Sequence, residues 1–142
     1  MLGADVGSAG WPACGEIDVV EMRGHQTNIA LGTVHGPGYS GGDAISKKYT
    51  LAEGSFAEDF HLFAVQWDPS QITFSVDGEI YQTVAARSIV TTNRTWVYDA
   101  PFFLILNLAV GGNFLGAAQP SAETPFPAAM TVDYVRAYQR VP

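Results

Sequence analysis

Basic side chains are scarce in this 142-residue chain: Lys and Arg number 7 against 14 Asp and Glu, a formal net charge of −7. Without a basic patch, neither nucleic acid nor an anionic membrane surface is an expected partner. The acidic balance suits a neutral or cationic ligand. Cysteine is nearly absent. Cys14 stands alone, which excludes an intrachain disulfide and fits a small buried side chain. No apolar run reaches the roughly 18 residues of a membrane span. The opening "MLGADVGSAG" lacks the basic and apolar regions of a signal peptide. The three histidines show no zinc-binding spacing. Charged residues make up only 15%, yet hydrophobic residues reach 47% and aromatics 12%, the composition of a globular domain. The length fits one domain.

Short apolar segments separated by Gly and Pro turns run the length of the chain. "GEIDVVEMR", "NIALGTVHG" and "FHLFAVQWD" read as strands, and the Gly-rich "PGYSGGDA" reads as a loop. "ITFSVDGEIYQTV" predicts a hairpin turning at Asp77-Gly78. "PFFLILNLAVGG" is apolar throughout and predicts a strand buried on both faces, although periodicity alone does not separate it from a helix. "TVDYVRAYQRV" predicts a closing strand, and "GAAQPSAETPFPAAM" a long loop. Strands and turns without a βαβ rhythm predict an all-β sandwich or jelly roll.

The sparse charge makes "CGEIDVVEMRG", residues 14–24, conspicuous: Glu16, Asp18 and Glu21 fall within six residues. On a strand Glu16 and Asp18 share one face. Strict alternation would send Glu21 to the apolar side with Ile17 and Val19. A β-bulge, one extra residue, would return it to the acids. A polar strand face would also accommodate such a motif. Paired carboxylates are, however, what glycoside hydrolysis needs, one to attack and one to donate a proton. Two charges about 6 Å apart at an effective dielectric near 20 repel by roughly 3 kcal/mol, about two pKa units. That is enough to keep one acid protonated while the other is charged. The spacing alone allows either assignment.

In order, "GWPACGEIDVVEMRG", "TVHGPGYSGG", "HLFAVQWDPSQITFSVDG", "PFFLILNLAVGGNF" and "MTVDYVRAYQ" cover most of the chain. Together they resemble the C-terminal half of a family 16 glycoside hydrolase of the laminarinase type, an endo-β-1,3-glucanase. The resemblance implies a concanavalin-like β-jelly-roll sandwich, with a sugar cleft on its concave face. It implies that residues 1–142 form a single partial catalytic domain lacking N-terminal strands, "MLG" being the end of the strand before the catalytic one. Exposed strand edges would then favour self-association. It implies Glu16 as nucleophile, Asp18 as an auxiliary acid hydrogen-bonded to Glu16, and Glu21 as acid/base. No cofactor is implied for catalysis. The partner would be a β-glucan polysaccharide and the location extracellular.

Weaker candidates follow from the same resemblance. Trp11 matches a cleft tryptophan able to stack on a sugar, with a core position as the alternative. His35 matches a cleft histidine. Asn107 and Phe114 lie in a block that borders the cleft, and Phe114 stands where many relatives carry Trp. Asp133 matches a ligand of a structural calcium, an ion that takes six or more oxygens. Trp67 is expected in the core.

"GYSGG" fits the G-x-S-x-G nucleophile elbow, but that motif needs a following helix, and "DAISKKYTLAEG" has no helical apolar face. "NRT" at 93–95 is a glycosylation sequon. A non-catalytic carbohydrate-binding sandwich is the alternative of another class, and a different glucan or galactan the alternative substrate. The extra residue between Asp18 and Glu21 resembles the laminarinase-containing subgroup rather than the E-x-D-x-E one.

Overall fold

The computed structural model describes residues 1–90 and 93–139. Its strands are β1 (Leu2–Gly3), β2 (Glu16–Glu21), β3 (Ile29–His35), β4 (Ile45–Thr50), β5 (Phe63–Asp68), β6 (Gln71–Val76), β7 (Glu79–Ala85) and β8 (Phe102–Phe103). Two four-residue helices, α1 (Val6–Ala9) and α2 (Ala86–Ile89), and two 3-10 turns complete the described elements. One sheet has the order β4-β3-β2-β1-β8 and the other β5-β6-β7. Every pairing is antiparallel. The chain divides into two units, Met1–Ile105, which holds both sheets, and Leu106–Pro142.

Alternation along the strands builds the core of the first unit. Ile17 and Val34 pair across β2 and β3 and are fully buried. They pack with Ile72, Phe74 and Val84 of the second sheet, sealed by Tyr39, Ile89 and Tyr98. Fully burying a residue of this size contributes about 1.5–3 kcal/mol. The sheets approach so closely at Gly32 that a Cβ there would meet the Phe74 ring at 2.6 Å. Asp77 (φ 50°) and Gly78 (φ 85°) both take positive φ, as the two-residue type I′ turn between β6 and β7 requires.

The expected strand over residues 101–112 is not formed beyond Phe102–Phe103. β8 pairs only with β1, which is two residues long, so the ladder ends there. Leu104, Ile105, Leu106, Leu108 and Val110 are left at least half exposed, Val110 by 65%. The closing strand is also absent: residues 131–139 are irregular and exposed, and residues 140–141 of that segment lie outside the described residues. Arg136 there lies over the ring of Tyr134, 4.0 Å from its centroid. Trp67 is 40% exposed rather than core. Its cross-strand partner Ile72 is buried, so the indole starts from the core-facing side, but β5 is an edge strand and leaves the ring only partly covered. Cys14 is buried, as expected. "GYSGG" leads through a 3-10 turn, Gly41–Asp43, into strand β4, not into a helix.

Candidate active site

The core-lining face of β2 and β3 leaves the opposite face for polar side chains, and there the three acids meet. Along β2–β3, Glu16 pairs with His35 and Asp18 with Thr33, but Glu21 pairs with Leu31. Three steps along β2 therefore match two along β3, a β-bulge. Val19 and Val20 lie in the bulge, and Val20 is the exposed one of the two. The bulge turns Glu21 back to the side of Asp18 and Thr33: the Thr33 hydroxyl donates to Glu21 Oε2 at 2.7 Å.

Glu16 Oε2 accepts the indole N–H of Trp11 at 2.7 Å. Trp11 is 51% exposed, so it is a surface residue tied to an acid rather than a core tryptophan. Its ring lies 5.8 Å from that of His35, tilted by 49°. His35 Nε2 lies 3.2 Å from Asp18 Oδ2. The expected hydrogen bond from Asp18 to Glu16 is replaced by this contact. Asp18 Oδ2 is buried and makes no aligned hydrogen bond.

Backbone geometry fixes the histidine tautomer. The Gly41 N–H donates to His35 Nδ1 at 3.1 Å, so Nδ1 supplies a lone pair and the ring proton sits on Nε2, toward Asp18. The Asp18 carboxylate beside it raises the His35 pKa against the opposing effect of burial. Glu16, Asp18 and His35 each offer an atom within 4.8 Å of the others, a spacing that also suits a metal ion. The tautomer does not suit one: binding through Nε2 would move the proton to Nδ1, facing the Gly41 N–H.

Glu21 is the perturbed acid. Burial pushes its carboxyl above the usual range, the Thr33 hydrogen bond opposes this, and the charge of Asp18 adds to it more than that of Glu16 does. The direction agrees with the sequence-based expectation. The leading cause differs, because desolvation outweighs repulsion between the two glutamates.

Among the remaining candidates, Asn107 lies in exposed irregular backbone and Phe114 in the 3-10 turn Asn113–Leu115 of the second unit. Asp133 is exposed, in irregular backbone, and belongs to no group of three acidic, His or Cys side chains that could share an ion among the described residues. Thr33, Ser46 and Gly41 were not singled out from sequence, yet each hydrogen-bonds within this cluster. The period of "LGTVH" does place Leu31, Thr33 and His35 on one face, the one available hint.

The signature of glycosyl hydrolases family 16 matches residues 5–136. Glucan endo-1,3-beta-glucosidase A1 of Niallia circulans is 41% identical over 150 aligned residues, covering 98% of this chain and 21% of that protein. The solved endo-beta-1,3-glucanase of Pyrococcus furiosus superposes with a TM-score of 0.84 at 49% identity, covering 89% of this chain and 48% of that one. The laminarinase catalytic domain of Thermotoga maritima MSB8 gives a TM-score of 0.84 at 48% identity, covering 89% and 50%. The chain thus spans about half the length of those two structures and about a fifth of the Niallia protein. With its antiparallel sandwich of the jelly-roll type and this signature over most of its length, the chain belongs to glycosyl hydrolase family 16.

Proposed function

We propose that this chain carries the catalytic face of a retaining endo-β-1,3-glucanase acting on extracellular β-glucan. The carrying observation is the bulge that returns Glu21 to the face of Glu16 and Asp18, where burial raises its pKa. A buried carboxyl that holds its proton is suited to act as the acid. Glu16, held by the Trp11 N–H, is suited to attack. In the first step a Glu16 oxygen bonds to the anomeric carbon as the glycosidic C–O bond breaks, and the Glu21 proton passes to the departing oxygen. In the second, Glu21 takes a proton from water, the water oxygen bonds to the anomeric carbon, and Glu16 leaves as carboxylate. Asp18 and His35 steady the face between them. No metal or cofactor enters either step.

The β-1,3-glucan assignment is supported by the names of the three relatives above and by the extra residue between Asp18 and Glu21. A polysaccharide is too large to cross a membrane, which supports action outside the cell.

The test uses the protein that carries this chain, with laminarin, xyloglucan and agarose as substrates and reducing ends as readout. Laminarin should be preferred by kcat/KM. Glu16→Ala and Glu21→Ala should each lose orders of magnitude, since general acid catalysis alone contributes ~10²–10⁴-fold. With an activated substrate, azide should rescue Glu21→Ala and give a β-glycosyl azide. With Glu16→Ala it should give the α-product. Reversed stereochemistry by NMR would exchange the two roles. Asp18→Asn should cost less than either. Laminarin binding without release of reducing ends would assign the face to recognition.

A further inference from the structure

Thr33 is only 3% exposed, yet its hydroxyl points at an acid on the neighbouring strand. It lies 2.7 Å from Glu21 Oε2 and 2.9 Å from the Ser46 hydroxyl of β4. A hydroxyl has one proton and two lone pairs. When Thr33 gives its proton to Glu21, the contact to Ser46 is completed by the Ser46 proton. The three side chains then form a directed chain across three strands: Ser46 to Thr33 to Glu21. The in-register pair Thr33–Ser46 fixes the first contact, and the bulge in β2 brings Glu21 within reach of the second.

We propose that Thr33, backed by Ser46, is a positioning residue that occupies Glu21 Oε2 and leaves Oε1 as the oxygen that exchanges a proton with the substrate. This rests on Glu21 being the acid/base. The hydrogen bond is made whether Glu21 is charged or protonated on Oε1, since Oε2 accepts in both states. The carboxyl plane is therefore held through the catalytic cycle without a rotation of the Thr33 hydroxyl. A hydrogen bond to a carboxylate also favours the charged form. Thr33 thus keeps burial from raising the Glu21 pKa further, so the group can still act as base in the second step. The other charged groups facing Glu21 are Asp18 and Glu16 on β2 and His35 on β3. Lys48 of β4 stands in the same register row, opposite Leu31.

The test compares Thr33→Val, Thr33→Ser and Ser46→Ala by two readouts. The first is the titration of the Glu21 carboxyl carbon by NMR in the protein that carries this chain, which needs no turnover. Thr33→Val should move the titration to higher pH, Ser46→Ala should move it less in the same direction, and Thr33→Ser should restore it. The second is kcat/KM against pH in the protein that carries the chain. Thr33→Val should lose about ten- to a hundredfold, the scale of a sub-ångström to 1 Å misplacement. The basic limb of its profile should rise in pH, with KM little changed. A Glu21 titration unmoved in Thr33→Val overturns the proposal. If Thr33→Val does not fold, an unmoved titration in Ser46→Ala overturns it instead. Full activity in Glu21→Ala would sink the assignment of Glu21, while a Thr33-dependent titration would still read the contact itself.

Discussion

Glu21 stands opposite Leu31, where an unbroken ladder would have put Val20. This single offset decides whether the third acid faces the side of Asp18 and Thr33 or the core. Deleting Val20 makes that a test. Regular alternation would then keep the three acids on one face with no bulge, and Ile17 and Val19 on the other. The variant should melt cooperatively, because an exposed residue is lost and no core contact is removed. Its activity should fall by about a hundredfold or more, since the bulge also sets the aim of the carboxyl. Loss of folding, by circular dichroism, would show instead that the bulge is needed to close the sheet.

Trp11 contributes two separable things, an N–H to Glu16 and an exposed aromatic face. Trp11→Phe removes the first and keeps the second, so kcat should fall while KM changes little. Trp11→Ala removes both, and KM should rise as well. An unchanged kcat in Trp11→Phe would mean that the indole N–H has no role in the chemistry. Stability should change by less than about 1 kcal/mol in Trp11→Phe, the range of exposed positions.

The parts of the fold legible in sequence are those set by local rules. Asp77-Gly78 needs positive φ twice, and that dictates a turn wherever it sits. Three acids in an otherwise apolar strand forced the bulge, because one of them would otherwise be buried beside Ile17. Strand β4 was missed because Lys47 interrupts its alternation, as lysines do on edge strands. The run from Phe102 to Val110 was misread because a central strand is defined by neighbours, and periodicity does not report them. The site divides the same way. Charged groups announce themselves by rarity. Thr33 does not, since a hydroxyl gains its meaning only from register with Ser46 and from the bulge opposite.

The same apolar run carries a prediction about assembly. Leu104, Ile105, Leu106, Leu108 and Val110, which follow the short edge strand β8 in sequence, are at least half exposed. Exposed apolar side chains and an unpaired strand edge each promote association. The isolated chain should therefore sediment as more than a monomer and bind a hydrophobic dye. A monomer by sedimentation that binds no dye would refute this.

Glu21 should cost the fold stability in proportion to its charge. Its carboxyl pKa is raised in the folded chain, chiefly by burial, so the folded state binds protons more tightly than the unfolded one. Below the unfolded value, about 4.3, the group is protonated in both states and contributes no difference. As pH rises through the folded value the carboxylate forms in a desolvated place, and stability is lost; above that value the penalty is constant. Glu21→Gln removes the charge, while its carbonyl oxygen can still accept the Thr33 hydroxyl. The variant should melt at a higher temperature than the parent at about pH 8 and at nearly the same temperature at about pH 4. Its hydrolytic activity should be lost at both. Melting curves across this range decide the matter: a Glu21→Gln chain no more stable than the parent at about pH 8 would mean that burial does not penalise the carboxylate, and would remove the reason for Glu21 to hold its proton.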